Sequence, residues 1–293
     1  RLETVVCRQG RVGPFMAQRW RPGARAGVGE RVRRRVFGCE VGRFGRSGVE
    51  RPGSRLKRAK VVLVCEASSG MLHLCRNELK QVKVVLASQS PRRQELMGSL
   101  GLTFETIVST FDEDLDKSNY PEAADYAADT AFHKVQDVFT RITEDPSREQ
   151  GDRYLVIGAD TVVDLGGQVM EKPSDKQHAF EMLKQLSGNS HRVHTGVAVC
   201  HFEIPRRDGS DGKTVPLAFT KCSETTAVTF SDLPDEVIHA YIESGEPMDK
   251  AGSYGIQGAG GSMVSGIQGC YFNVMGLPLN RLSKVLIDLL KTN

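Results

Sequence analysis

Residues 82–101 read Val-Lys-Val-Val-Leu-Ala-Ser-Gln-Ser-Pro-Arg-Arg-Gln-Glu-Leu-Met-Gly-Ser-Leu-Gly. Val82, Val84, Val85 and Leu86 make a short apolar run of strand length. Residues 94–100 follow a helical pattern, with Ser90 at the N-cap position, Pro91 at the first helical position and Gly101 just past the end. The link between them is a strand-to-helix turn. Its free backbone N–H groups and the helix dipole favour an anion. Ser88, Ser90, Arg92 and Arg93 add donors shaped for phosphate oxygens. The competing reading of the same residues is a plain N-cap followed by two solvated arginines.

Working outward, the same alternation of strand and helix continues. Residues 104–109 alternate as a strand does, and an acidic turn, Asp112-Glu113-Asp114, follows. Pro121 opens a helix to about Thr143, with Ala124, Ala127, Ala128, Ala131, Val135 and Val138 inward. Lys134 lies in this helix, and taken alone reads as a solvated lysine. Residues 154–157 read as a buried strand ending in Gly-Ala-Asp-Thr at 158–161. An aspartate at an apolar strand tip is costly unless paired or metal-bound, so Asp160 is the leading catalytic candidate, against a turn-forming role. Gly166-Gly167 predicts a hairpin. Ser174 is placed as the cap of a helix over 175–186. His191 and His194 fall on opposite faces of a strand over 191–202, and are assigned to structure. A polar loop (203–216), a Thr-rich strand (219–230) and a helix (234–244) come next. A glycine-rich run (249–258), a short strand (263–267) and an amphipathic helix from Pro278 complete the chain. The pattern predicts an α/β fold with a mixed sheet.

The 293-residue chain carries a net charge of +3, unevenly placed. Residues 1–60 hold 15 Arg and 2 Lys against 4 Glu, a charge of +13, which leaves −10 for the remainder. With ten glycines, three prolines and no lasting apolar period, this head is expected to be disordered. A nucleic-acid-binding arm and a mitochondrial transit peptide are possible readings. The reading favoured is a misplaced gene start, because the chain opens on Arg1 and Met71 shortly precedes the first strand. Residues 61–65 are apolar but isolated, with no function assigned. The boundary is placed at residue 80, with one domain over 81–293. The seven cysteines form no C-x-x-C pair, so a zinc site or disulfide framework is not expected, and a reducing, cytoplasmic location is. No apolar stretch is long enough to span a membrane.

An anion cradle at 88–93, acids at 113 and 160 and lysines at 134 and 172 suit a phosphorylated substrate with a divalent cation. No G-x-x-x-x-G-K-[ST] is present, so a P-loop NTPase is not supported. The ordered set Ser-Gln-Ser-Pro-Arg-Arg (88–93), Lys134, Gly-Ala-Asp-Thr (158–161), Glu-Lys-Pro (171–173), Leu-Ser-Gly (186–188) and Asp-Lys-Ala-Gly-Ser-Tyr-Gly-Ile-Gln-Gly (249–258) resembles the Maf family of septum-formation-inhibitor-like nucleoside triphosphate pyrophosphatases. The resemblance runs from about Val82 to the C-terminus. It extends to vertebrate proteins that join a Maf-like N-terminal domain to an acetylserotonin O-methyltransferase-like one. The run at 71–83 is similar to where such a protein begins.

The resemblance implies an elongated Maf/inosine-triphosphatase-like mixed sheet flanked by helices, with two lobes, a central cleft and a homodimer. It implies hydrolysis of a nucleoside triphosphate to monophosphate and pyrophosphate with Mg²⁺ or Mn²⁺, a nucleotide-pool housecleaning role. Asp160 matches the family's proton acceptor, and Ser88, Arg93, Lys134 and Lys172 match its phosphate contacts. Glu113 matches its metal-side acid, flanked by Asp112 and Asp114, and Asp160 is held as a second metal ligand. Arg92, Thr161 and Gln257 match the branch that favours dTTP and UTP. A Gln amide offers donor and acceptor to a pyrimidine edge. The alternatives are a catalytically silent binding or regulatory module, a nucleic-acid binder acting through the head, and an inosine-triphosphate-type enzyme.

Overall fold

The computed structural model describes residues 70–205, 214 and 216–291. The basic head up to residue 69, including residues 61–65, and most of the expected polar loop lie outside the described residues. The folded body starts before the boundary expected at residue 80. A 3₁₀ turn, Gly70–Cys75, buries Leu72 and Cys75 completely in the core, and leads into a short helix α1 (Arg76–Leu79).

The elements that follow are β1 (Lys83–Leu86), α2 (Pro91–Ser99), β2 (Phe104–Thr106), α3 (Ala123–Glu144), β3 (Arg153–Leu165) and β4 (Gln168–Met170). Then come α4 (Lys176–Leu186), β5 (Ser190–Glu203), β6 (Pro216–Phe230), α5 (Asp235–Glu243), β7 (Val264–Gln268), α6 (Tyr271–Met275) and α7 (Leu279–Lys291). Among the described residues the strands form one mixed sheet of seven in the order β2-β1-β3-β5-β6-β7, with β4 also on β3. β1 is parallel to β2 and to β3, and the other pairs are antiparallel. At 13 to 15 residues, β3, β5 and β6 extend roughly 45 Å, which makes the sheet elongated.

These long strands serve two lobes. At one end, α2 and α7 cover Leu86, Leu155, Ile157, Val197 and Val199 on one face of the sheet. On the opposite face α3 covers Val85, Tyr154, Val156, Ala198 and Phe202. At the far end, Val163, Val193, Val228 and Phe230 pack with Leu183 and Leu186 of α4 and Ile238 and Ile242 of α5.

Two expected details differ. Asp175, not Ser174, caps α4, because its carboxylate accepts the His178 N–H at 2.8 Å. β2 ends at Thr106 rather than 109, since Asp137 of α3 accepts the hydroxyls of Ser109 and Thr110 and the Thr110 N–H, drawing that segment off the sheet. The histidines occupy structural positions. His191 Nε2 lies 2.8 Å from the Tyr254 hydroxyl and His194 Nδ1 2.9 Å from that of Thr225.

Close contact between α3 and the sheet depends on Gly196 of β5, where a Cβ would overlap the Ala127 carbonyl. Gly196→Ala is expected to destabilise the protein by about 2 kcal/mol or more, read from urea denaturation. Burial pulls the His191 imidazole down to about 4. The unfolded chain therefore binds a proton first as pH falls through 6.5, and stability is lost on that side. The expected loss from His191 is about 2 kcal/mol between pH 7 and pH 5. It should be absent in His191→Gln when the two proteins' stabilities are compared across that range.

Candidate active site

β3 changes partners along one edge. It pairs with β1 over residues 154–157 and with β4 over residues 163–165. Between them no described strand pairs with that edge at residues 158–162, and the gap opens into a cleft of about 880 Å³. Asp160 therefore sits in the middle of a continuous strand rather than at a strand tip, as expected from the sequence. The tip beside it belongs to β1, whose last partner on β3 is Ile157.

Neighbouring side chains on a strand point to opposite faces. Asp160 faces α3, where Lys134 Nζ donates to its Oδ1 at 2.7 Å and to Glu113 Oε1 at 2.9 Å. The Lys134 side chain is only 9% exposed and that of Asp160 10%, against 44% for Glu113. The solvated reading of Lys134 is thus replaced by a buried cation held between two carboxylates. Thr161 faces the other way, toward α2. Arg93 Nη2 donates to its hydroxyl at 3.0 Å, Nη1 to Ser88 Oγ at 3.3 Å and Nε to the Gly276 carbonyl at 2.9 Å.

Burial pushes the Asp160 carboxyl above its ordinary range, against the pull of Lys134 and Arg93, and the nearby Glu113 adds to the rise. Burial also pushes Glu113 up, but Lys134, Lys172 and Arg93 outweigh it and hold this carboxyl below its ordinary value. The two acids are thus shifted in opposite directions. Burial lowers Arg93 from its ordinary value, countered by Asp160 and Glu113. Ser90 stands at the N-cap of α2 as expected, but its side chain makes no capping bond. The first turn of the helix, Pro91, Arg92 and Arg93, lines the cleft.

Ser88, Arg92, Arg93, Glu113, Lys134, Asp160, Thr161 and Lys172 all line this cleft. Gln257 does not: it is exposed in a turn outside the lining. The run 249–258 reaches the cleft instead through Asp249, Lys250, Ala251 and Tyr254. Gly252, with φ +67°, packs its backbone on Val163, and its N–H bonds the Glu171 carbonyl at 3.1 Å. The glycine density marked that run in the sequence, but nothing marked which of its side chains turn inward. Phe111, stacked on His133 at 5.0 Å, and Met248 also line the cleft without a sequence signal.

Among the described residues no three His, Cys, Asp or Glu side chains converge to hold a metal by themselves. The pair Glu113 and Asp160 fits a hard divalent cation that keeps waters and takes its other ligands from phosphates.

A model of Maf-like proteins matches residues 83–289. The chain belongs to the Maf family. A human relative named "probable bifunctional dTTP/UTP pyrophosphatase/methyltransferase protein" is 44% identical over 212 residues, covering 72% of this chain and 33% of the relative. Relatives named dTTP/UTP pyrophosphatase are 45% identical over 208 residues in Acetivibrio thermocellus and 46% over 206 in Clostridium perfringens. Those matches cover 71% and 70% of this chain and 95% and 96% of the bacterial proteins. The chain thus spans a third of the human relative and nearly all of the bacterial ones.

In this Maf chain the paired charges make Lys134 a sensitive position. Lys134→Met would leave two carboxylates facing each other, one of them buried. The expected cost is about 3 kcal/mol in urea denaturation at pH 7, shrinking as pH is lowered and the carboxylates are neutralised.

Proposed function

We propose that this chain hydrolyses dTTP and UTP to the monophosphate and pyrophosphate, a housecleaning reaction on the nucleotide pool. The observation that carries the reading is a buried Asp160 that shares one cleft with Ser88, Arg92, Arg93 and Lys172. The names of the Maf relatives supply the substrate class.

In this reading Ser88, Arg92, Arg93, Lys172 and the α2 N-terminus bind the triphosphate oxygens and neutralise their charge. Glu113 and Asp160 would hold Mg²⁺ or Mn²⁺. A bound divalent cation supplies charge to the phosphates and lowers the pKa of nearby water. Asp160 orients a water toward the α-phosphorus and accepts its proton. The water oxygen forms the new bond, the bond to the α–β bridging oxygen breaks, and pyrophosphate leaves. Lys134 keeps both carboxylates in place while the cleft is empty, and is free to turn to a phosphate once it is filled. Arg92 lies where it can affect substrate choice, Thr161 bears on the site through its hydrogen bond to Arg93, and Gln257 lies outside the cleft lining.

Among the described residues no helix is long and apolar enough to cross a membrane. Among the described residues no disulfide joins the cysteines, which fits the cytoplasm as the proposed site of action. The homodimer belongs to the proposal on the strength of family likeness alone.

The deciding experiment is pyrophosphate release from dTTP, UTP, CTP, GTP and 7-methyl-GTP with Mg²⁺. The expected outcome is turnover of dTTP and UTP that falls by about 10²–10⁴-fold in Asp160→Asn, the range for a lost general base. Because the charge on Asp160 is unfavourable in the fold, its melting temperature should not drop. Absence of turnover by the folded wild-type chain would favour the silent-module reading.

A further inference from the structure

Beneath the floor of the cleft, hydroxyl groups form a chain whose direction follows from counting hydrogens. Thr195 is wholly buried, and its hydroxyl donates to the main-chain carbonyl of Asn273 at 2.9 Å. A hydroxyl has one hydrogen, so Thr195 can only accept at its 3.0 Å contact with Thr161. The Thr161 hydrogen therefore points into the protein, while its oxygen accepts from Arg93 Nη2. The far end is anchored as firmly. The buried Asn273 side chain donates from Nδ2 to the Val193 carbonyl at 2.9 Å and to Thr226 Oγ1 at 3.0 Å. Thr226 in turn donates to the Cys270 carbonyl at 3.0 Å. α6 is thereby tied to β5 and β6, and its Gly276 carbonyl receives Arg93 Nε.

Ser88 shows the opposite balance. Its Oγ accepts from Arg93 Nη1 at 3.3 Å and from the Ser90 N–H at 3.2 Å. Both contacts take lone pairs, so the Ser88 hydrogen is left for the cleft.

We infer that Thr161, Thr195 and Asn273 form a hydrogen-bond chain of fixed direction that positions Arg93 and leaves the Ser88 hydroxyl hydrogen free to donate into the cleft. Thr161 thus acts on the reaction through Arg93 and not by donating to a nucleobase. Thr195 and Asn273 are positioning residues that never touch substrate. The inference deepens the proposed activity and rests on it for its kinetic test.

The test compares wild type with Thr161→Val, Thr195→Val, the double Val variant, and the Ser variant at each position. The kinetic readout is kcat/KM for dTTP, UTP and CTP. Both Val variants should lose about 10- to 100-fold, the scale of a misplaced binding group. The loss should be the same for every nucleotide, so that the ratios among them stay fixed. The double variant should be no worse than the single ones, and each Ser variant should recover most of the rate. A change in the nucleotide ratios in Thr161→Val overturns the inference, since it would mean that Thr161 reads the base. So does a wild-type rate in a folded Thr195→Val.

A second readout needs no turnover. Hydrogen exchange of the Arg93 Nε–H, followed by NMR without nucleotide, should be faster in Thr195→Val and Thr161→Val and restored by Ser. If the wild-type chain hydrolyses no triphosphate, the proposed activity fails while this readout still decides the chain. An Arg93 Nε–H unchanged in both Val variants overturns the inference. Should Thr195→Val not fold, Thr161→Val and the two Ser variants carry the same comparison.

Discussion

The open edge of β3 is the constraint on which the site depends. A sheet edge presents N–H and C=O groups that must be paired, covered or hydrated. Here the edge is covered at both ends by different strands. β1 stops because residues 87–90 turn out of the sheet toward α2, and β4 begins because Gly166 and Gly167, both at positive φ, turn the chain back. The gap between them leaves Asp160, Thr161 and Val162 to line the cleft. Strand alternation then places Asp160 on one wall and Thr161 on the other. The acid wall and the guanidinium wall are two faces of the same strand. Their separation is fixed by backbone geometry and not by loop conformation.

The electrostatics of the acid wall do not favour the fold. Two carboxylates share one ammonium, and burial raises Asp160 despite that partner. A buried ion pair seldom stabilises more than an apolar replacement would. Its persistence in a cleft, with the pKa values of two acids pushed in opposite directions, is the pattern expected of a working site. The same logic extends to the other wall. Arg93 directs its Nε and both its terminal nitrogens to Gly276, Ser88 and Thr161, so its rigidity comes before any ligand arrives.

Much of this was legible in the sequence. The strand-turn-helix at 82–101, the hairpin at Gly166-Gly167 and the helices found as α3 and α7 follow from period, caps and turn residues. Ser88, Arg92, Arg93, Glu113, Lys134, Asp160, Thr161 and Lys172 were found by motif and resemblance, and they converge. Other features left no such signal. Gly158 and Ala159 looked like the end of a strand, because small residues before an aspartate resemble a turn. In the fold they lie within β3, where β5 pairs with them throughout. Lys134 looked solvated because helical spacing alone does not reveal a carboxylate on a distant strand. Gln257 is placed at the site by resemblance alone, and nothing in its glycine-dense loop marks that the side chain lies outside the cleft lining. The chain from Thr161 to Asn273 joins residues far apart in sequence, and threonines in a strand carry no mark of their partners.

Packing ties the two walls to one another. Lys134 reaches Asp160 only because α3 lies close on the sheet. That closeness comes from small residues on both sides: Ala127, Ala128 and Ala131 on the helix, and Gly158 and Gly196 on the strands beneath. A Cβ at Gly158 would lie 2.6 Å from Val135 Cγ2, and one at Gly196 would meet the helix backbone itself. Gly196 is the cross-strand partner of Asp160, so the closest approach of helix to sheet falls directly beside the acid. Next to it on β5, Thr195 pairs with Thr161 and faces the other way. One dipeptide of β5 therefore supports both walls, the glycine by letting the helix and its lysine approach and the threonine by fixing the hydrogen that orients Arg93. A change in the position of β5 relative to β3 would disturb the acid and the phosphate donors together. The long uninterrupted antiparallel pairing of these two strands is thus part of how the cleft keeps its geometry.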